Sequence, residues 1–192
     1  TTSFFPAKPL GCYGDGGAIF TDDADLAALL DSLRVHGKGT AKYDNVRIGM
    51  NSRLDTLQAA ILLEKLSIYA DEIDARNAVA EQYEKALKNH FVTPYVPEGY
   101  RSIWAQYTLQ AKSNAARGKL METLKSMGIP VAVYYPRPLH EQTAYKNFPY
   151  GPEGLPNSTE IARRVFSLPM HPYLDAESVE RVCDAAVRAV AA

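Results

Sequence analysis

Ser3-Phe4-Phe5-Pro6-Ala7-Lys8-Pro9-Leu10-Gly11, followed by Cys12-Tyr13-Gly14-Asp15-Gly16-Gly17 and Ala18-Ile19-Phe20-Thr21, sets one lysine between two strand-like runs. A short aromatic, strand-like run leads into a lysine, then a glycine-rich turn, then a second strand at 18–21. A lysine held between rigid, largely apolar elements loses part of its hydration, which lowers its pKa and frees the amine to attack a carbonyl. Schiff-base chemistry requires that arrangement, and pyridoxal phosphate (PLP) is a leading candidate partner. The same residues also read as a surface lysine on a loop before a β-hairpin, because lysines are mostly exposed.

Outward from this turn, Asp22 or Asp23 can cap a helix through Leu30, with apolar positions 26, 29, 30 and 33 at helical spacing. A polar, glycine-bearing loop from Gly37 to Gly49 follows, long enough to carry function. Ser52 with Asp55 three residues on resembles a capping box, opening a long helix with Leu54, Leu57, Ile61 and Leu62 on one face. A second helical stretch covers about Asp71 to Asn89, its charges reading as a solvated face. Residues 102–109 form a half-buried strand candidate. Residues 114–127 read as a helix that ends at Gly128, a natural C-cap position. Val131 to Tyr135 reads as another strand, stopped by Pro136 and Pro138. A Pro/Gly-rich loop near 147–157 precedes a helix from Ser158, a short extended 167–170 and a last helix from about Ala176 to Ala191. The alternation predicts an α/β chain: the edge of a large α/β domain over 1–70, then a linking helix and a smaller C-terminal α/β domain over 71–192.

Composition is that of an ordinary globular chain, 46% hydrophobic and 22% charged with net charge −1. The balance gives no support for a nucleic-acid or membrane-surface partner. No apolar run approaches the roughly 20 residues that a membrane helix needs. Cys12 and Cys183 lie far apart, without a CxxC or a Cys/His cluster, so the sequence implies neither a metal site nor a disulfide; reduced thiols in a cytoplasmic protein are expected. Cys12 borders the lysine turn and reads as a small filler. The chain opens without methionine or a secretory leader, within what reads as a strand.

Four blocks, in order and at matching distances, resemble the DegT-type sugar-nucleotide aminotransferases. They are Ser3–Gly11 with Gly14–Ala18, then Gly49-Met50-Asn51-Ser52-Arg53-Leu54-Asp55-Thr56-Leu57-Gln58, then Tyr134-Tyr135-Pro136-Arg137-Pro138-Leu139-His140, then Ser167-Leu168-Pro169-Met170-His171-Pro172. The resemblance implies PLP-dependent transferase fold type I. It makes 1–70 the C-terminal part of the large PLP-binding domain, and the whole chain the C-terminal portion of a larger enzyme. The acid that pairs with the pyridinium nitrogen and the glycine-rich helix start that binds the PLP phosphate lie upstream in the family. This segment alone is therefore not expected to be a competent catalyst.

The same resemblance assigns roles. Lys8 is implied to hold PLP covalently and, once displaced, to move a proton between the substrate carbon and C4′ of the cofactor. Ser3 resembles the residue whose hydroxyl contacts the PLP phosphate. Asn51 is implied to help hold that phosphate, and Arg53 to face a substrate carboxylate through two parallel hydrogen bonds. In similar enzymes this block reaches into the neighbouring subunit's site, which implies a homodimer. Tyr134 and Tyr135 are implied to contact the sugar or its diphosphate; a buried aromatic pair explains them equally well. His36 and His171 read as structural hydrogen-bonding residues, and Lys38 and Lys42 as solvated. The implied activity moves an amino group, with glutamate as the expected donor, to the keto group of a nucleotide-linked sugar. UDP-2-acetamido-2-deoxy-3-oxo-glucuronate, a precursor of surface polysaccharide, is the expected acceptor. Two alternatives are a non-catalytic nucleotide-sugar-binding homologue and a PLP-dependent sugar dehydratase. The dehydratases of this family carry histidine where this chain carries Lys8.

Overall fold

Residues 1–41 and 43–191 are described by a computed structural model, which divides the chain into two units, Thr1–Ala70 and Asp71–Ala192. In the first unit β1 (Thr2–Ser3) pairs antiparallel with β2 (Gly17–Ala18), Thr2 opposite Ala18 and Ser3 opposite Gly17. The second strand is shorter than the sequence predicts: Ile19 and Phe20 leave the pairing and stand exposed. Helix α1 (Ala24–Leu33) begins where the Asp23 carboxylate accepts the Leu26 N–H at 3.0 Å, a side-chain cap on an otherwise orphaned donor.

Helix α2 (Thr56–Leu87) is one continuous rod of 32 residues rather than two helical stretches. No glycine or proline lies between its ends, so nothing interrupts the backbone ladder. Its start also differs from the capping-box expectation. The Ser52 N–H donates to Arg34 O at 2.9 Å, the first helical residue is Thr56, and Asp55 O accepts from Ala59 N at 3.0 Å. The charged face of its second half is not uniformly solvated either, since Glu72 and Arg76 are each 8% exposed. Glu72 accepts from the Tyr173 hydroxyl, and Arg76 Nη1 donates to Trp104 O at 3.0 Å and to Met170 O at 3.4 Å. These charges fasten two loops to the helix.

In the second unit β3 (Tyr107–Gln110) pairs antiparallel with β4 (Val165–Leu168), from Tyr107 opposite Leu168 to Gln110 opposite Val165. Helices α3 (Asn114–Ser126), α4 (Pro156–Arg164) and α5 (Ala176–Ala191) accompany this ribbon. Tyr83, Leu87, Tyr107, Leu109, Leu124 and Phe166 form the centre of the core, each 1% exposed or less. Helix α3 ends as its glycine predicts. Gly128 takes φ 73°, its N–H donates to Lys125 O, and Ile129 N–H donates to Leu124 O at 2.9 Å, the paired bonds of a Schellman cap.

Two expected strands are corrected. Residues 102–106 are irregular because α2 side chains take their carbonyls: Asn77 Nδ2 donates to Ser102 O at 3.1 Å, and Arg76 holds Trp104 O. Of 131–135 a single residue pairs, Ala132 with Ser167, so Tyr134 and Tyr135 lie past an isolated bridge rather than at the end of a strand. Pro130 and Pro136 lack the N–H that would extend it. Helix α4 starts two residues before Ser158, with Pro156 at its first position.

A lysine-bearing turn as the candidate active site

Lys8 sits at the tip of a closed turn. Phe4 N–H donates to Gly16 O and Cys12 N–H to Phe4 O, both at 2.8 Å, which ties the two arms together. Within the turn Lys8 N–H donates to Phe5 O at 2.8 Å, and Phe5 N–H donates to Ser3 Oγ at 3.2 Å. Cys12 is fully buried, with its Sγ 3.0 Å from Phe4 O and 3.1 Å from Gly14 O, so it fills the turn as the sequence suggests. Ser3 and Lys8 are exposed, whereas Pro9 beside Lys8 is buried. The backbone is thus fixed while the amine stands free. The apolar enclosure expected around Lys8 is not supplied by the neighbours it has in this chain.

The geometry explains Gly11. A side chain there would begin 2.7 Å from Phe5 O, 2.8 Å from Pro6 O and 3.0 Å from Lys8 O, so three carbonyls curl around a position that admits no carbon. Two side chains of α2 hold the far arm. Lys65 Nζ donates to Gly11 O at 2.7 Å, and Gln58 Oε1 accepts from Tyr13 N–H at 2.8 Å. Sequence reasoning did not single out Gln58 or Lys65. Their signal was faint: they stand seven residues apart, two helical turns, on the face that also carries Ile61 and Leu62.

The second block is built on the end of α1. Val35 bridges Asn51, His36 N–H donates to Met50 O at 2.8 Å, and Met50 N–H donates to Leu33 O at 2.8 Å. The loop between them closes on two glycines in close passage. Gly37 takes φ 75°, and a side chain on Gly49 would begin 2.1 Å from Gly37 N. Asn51 and Arg53 come together as exposed neighbours, with Asn51 Oδ1 accepting from Arg53 Nε at 3.1 Å. That bond orients the amide, leaving the Asn51 NH2 and the outer guanidinium nitrogens of Arg53 as donors toward a ligand. Leu54 ties the block to the lysine turn, its Cδ1 lying 2.9 Å from where a Gly16 side chain would begin.

In the second unit Tyr134 and Tyr135 are joined by a cis peptide bond, with ring centroids 5.6 Å apart in an edge-on arrangement, and both are exposed. They are not the buried pair of the competing reading. His36 is exposed and takes φ 62°, its backbone N–H donating to Met50 O, and His171 Nδ1 accepts from Tyr173 N–H at 3.2 Å. Lys38 is exposed, with its Nζ 3.5 Å from the Asp31 carboxylate, whose pKa is lowered by the Arg34 hydrogen bond and by Lys38. Lys42 lies outside the described residues. Among the described residues no cluster of metal-binding side chains occurs, and no helix is long and apolar enough to cross a membrane.

Residues 1–187 match the DegT/DnrJ/EryC1/StrS aminotransferase family. The UDP-2-acetamido-2-deoxy-3-oxo-D-glucuronate aminotransferase of Pseudomonas aeruginosa is 47% identical over 185 residues, 96% of this chain and 50% of that protein. The chain spans about half the length of the curated relatives it matches. A crystal structure of a DegT DnrJ EryC1 StrS aminotransferase from Brucella abortus superposes with TM-score 0.92 at 52% identity, over 97% of this chain and 49% of that one. NtdA from Bacillus subtilis, solved with bound cofactor PMP, superposes with TM-score 0.86 at 26% identity, over 99% of this chain and 45% of that one. The resemblance read from the four blocks and the type I transferase fold that it implied are both borne out. By sequence and by fold, the chain belongs to the DegT/DnrJ/EryC1/StrS aminotransferase family.

Proposed function

We propose that this chain carries the lysine half of a PLP-dependent aminotransferase acting on the keto group of a nucleotide-linked sugar. The observation that carries the reading is an exposed Lys8 amine on a turn whose backbone is locked by hydrogen bonds and by the carbonyls packed around Gly11. The residues present fit the cofactor. Ser3 Oγ spends a lone pair on Phe5 N–H and keeps its hydroxyl proton for a phosphate oxygen. Asn51, with its oxygen engaged by Arg53, offers NH2 donors, so both groups suit an anion. The relative solved with PMP supports the same assignment.

When bound, PLP would supply an electron sink that makes the C–H bond at the amine-bearing carbon acidic. Lys8 would hold it covalently through Nζ and, once displaced, would carry the proton between the substrate carbon and C4′ of the cofactor. Ser3 and Asn51 anchor its phosphate. Arg53 binds a substrate carboxylate, in the planar two-bond geometry that a guanidinium provides. Tyr134 and Tyr135 contact the sugar or its diphosphate. The first unit is the C-terminal part of the large PLP-binding domain, and the second is the linking helix with the small domain.

The Pseudomonas aeruginosa relative's name supports UDP-2-acetamido-2-deoxy-3-oxo-glucuronate as acceptor, and the family resemblance implies surface polysaccharide as destination. Glutamate as donor, a cytoplasmic location and a homodimer whose partner receives Asn51 and Arg53 complete the reading. The test uses the whole protein loaded with PLP and reduced with borohydride. Visible absorbance should be lost while the label stays on the peptide carrying Lys8, and Lys8→Ala should abolish turnover by at least about 10³-fold. Keto sugars should be aminated, uronates in preference to neutral ones. Label on another lysine would overturn the role of Lys8, and a preference for neutral sugars would overturn the uronate assignment. Label on Lys8 without turnover on any keto sugar would identify the non-catalytic homologue instead.

A further inference from the structure

We infer that Lys65 and Gln58 of α2 are positioning residues that set where the Lys8 amine stands, and that Lys65 does so through a charge-assisted bond to Gly11 O. The inference rests on the reading of Lys8 as the cofactor-linked amine. The turn has two arms, and they are secured differently. The Phe4 arm is held within the turn, by Phe4 N–H to Gly16 O, Cys12 N–H to Phe4 O and Lys8 N–H to Phe5 O. The Gly11–Tyr13 arm is gripped from a distance in sequence of 54 and 45 residues, by Lys65 Nζ on Gly11 O at 2.7 Å and by Gln58 Oε1 on Tyr13 N–H at 2.8 Å. Lys8 lies between the arms, so a shift of Gly11 moves it.

The chemistry of the grip suits a pin rather than a filler. An ammonium donor makes a shorter and stronger bond to a carbonyl than a neutral donor does. Lys65 is half-buried, which lengthens the reach of its charge, and its Nζ stands 5.8 Å from the Tyr13 ring centroid, within cation–π range. Phe5 O, Pro6 O and Lys8 O stand 2.7, 2.8 and 3.0 Å from where a side chain on Gly11 would begin, so the residue that Lys65 holds is ringed by three carbonyls. A serine or alanine at 65 could not reach; an arginine could.

The tests use the whole protein. In the cofactor-free form, hydrogen exchange at the amides of residues 10–17 should speed up about tenfold in Lys65→Met and in Gln58→Leu, with uptake of added PLP slowed to a similar degree. In the loaded form, Lys65→Met should lower kcat about tenfold, since small misplacements of a reacting group have effects of that order. The KM for the sugar should stay within about twofold, the melting temperature should stay near that of the unaltered protein, and Lys65→Arg should restore most of kcat. Unchanged exchange and PLP uptake in both variants would overturn the inference. So would a kcat loss that tracks a fallen melting temperature and that Lys65→Arg does not recover. Exchange and uptake are read without turnover, so they decide the point even if the whole protein aminates no keto sugar.

Discussion

At Gly11 a single methyl group tests how the lysine is held. A Cβ there meets Phe5 O at 2.7 Å, Pro6 O at 2.8 Å and Lys8 O at 3.0 Å, and all three are backbone atoms that no rotamer change can move aside. Gly11→Ala should therefore open the turn and cost about 1–3 kcal/mol, the range for overpacking a filled site. On the proposed role of Lys8, the visible absorbance of the whole protein loaded with PLP should fall with it. Denaturant unfolding and a cofactor titration check both parts; unaltered stability with full cofactor content would show that the three carbonyls yield easily. The glycine-rich turn after Lys8 was legible in the sequence. The crowding that demands glycine was not, because it depends on carbonyl directions that follow from the closed hydrogen bonding of the whole turn.

At the scale of elements, the ends of helices were legible where a short polar side chain or a glycine marks them, and obscure where a tertiary contact intervenes. Asp23 and Gly128 sit at the caps that the sequence assigns, whereas Ser113, which it did not single out, caps α3 with its Oγ accepting Ala116 N–H at 3.1 Å. Ser52 looked like a cap and is instead a link to Arg34 O, since the crossing of Gly37 and Gly49 holds its segment against the end of α1. Strand 102–109 alternated well enough in sequence, but Arg76 and Asn77 claim its first carbonyls. Helix α5 offers a titratable example of a legible end. Asp175 Oδ1 accepts Ser178 N–H at 2.7 Å, and the Ser178 hydrogen bonds lower its pKa from the ordinary 3.8. A depressed carboxyl contributes stability above its unfolded value and loses it as pH falls through the folded one. Asp175→Ala should thus lower the melting temperature at pH 7, and the gap to the unaltered protein should close as pH drops below 3.8. A gap that persists undiminished in strong acid would mean the carboxylate charge is not what caps α5.

At the scale of the molecule, the core of the second unit couples folding to alkaline pH. Tyr83, Tyr107 and Cys183 are all buried there. Burial pushes both phenols well above their ordinary 10.0, with Glu84 adding to the effect at Tyr107, while burial with Asp184 and Glu180 raises the Cys183 thiol to about 11. The polar tips are satisfied in their neutral forms: the Tyr83 hydroxyl donates to Pro169 O at 2.8 Å and that of Tyr107 to Glu84 Oε2 at 3.4 Å. An unfolded chain ionises its thiol near 9.0 and its phenols near 10.0, whereas the folded chain keeps these protons. Raised pKa values therefore leave stability intact below pH 9 and erode it above, each group that ionises only on unfolding contributing a slope of up to about 1.4 kcal/mol per pH unit. Denaturant unfolding of the whole protein should show a plateau from pH 7 to about 9 and a fall beyond it. Tyr107→Phe should make the fall shallower, because one of the three retained protons is gone. A stability that stays level to pH 11, or a slope that Tyr107→Phe leaves unchanged, would show that these hydroxyls and this thiol ionise without opening the core.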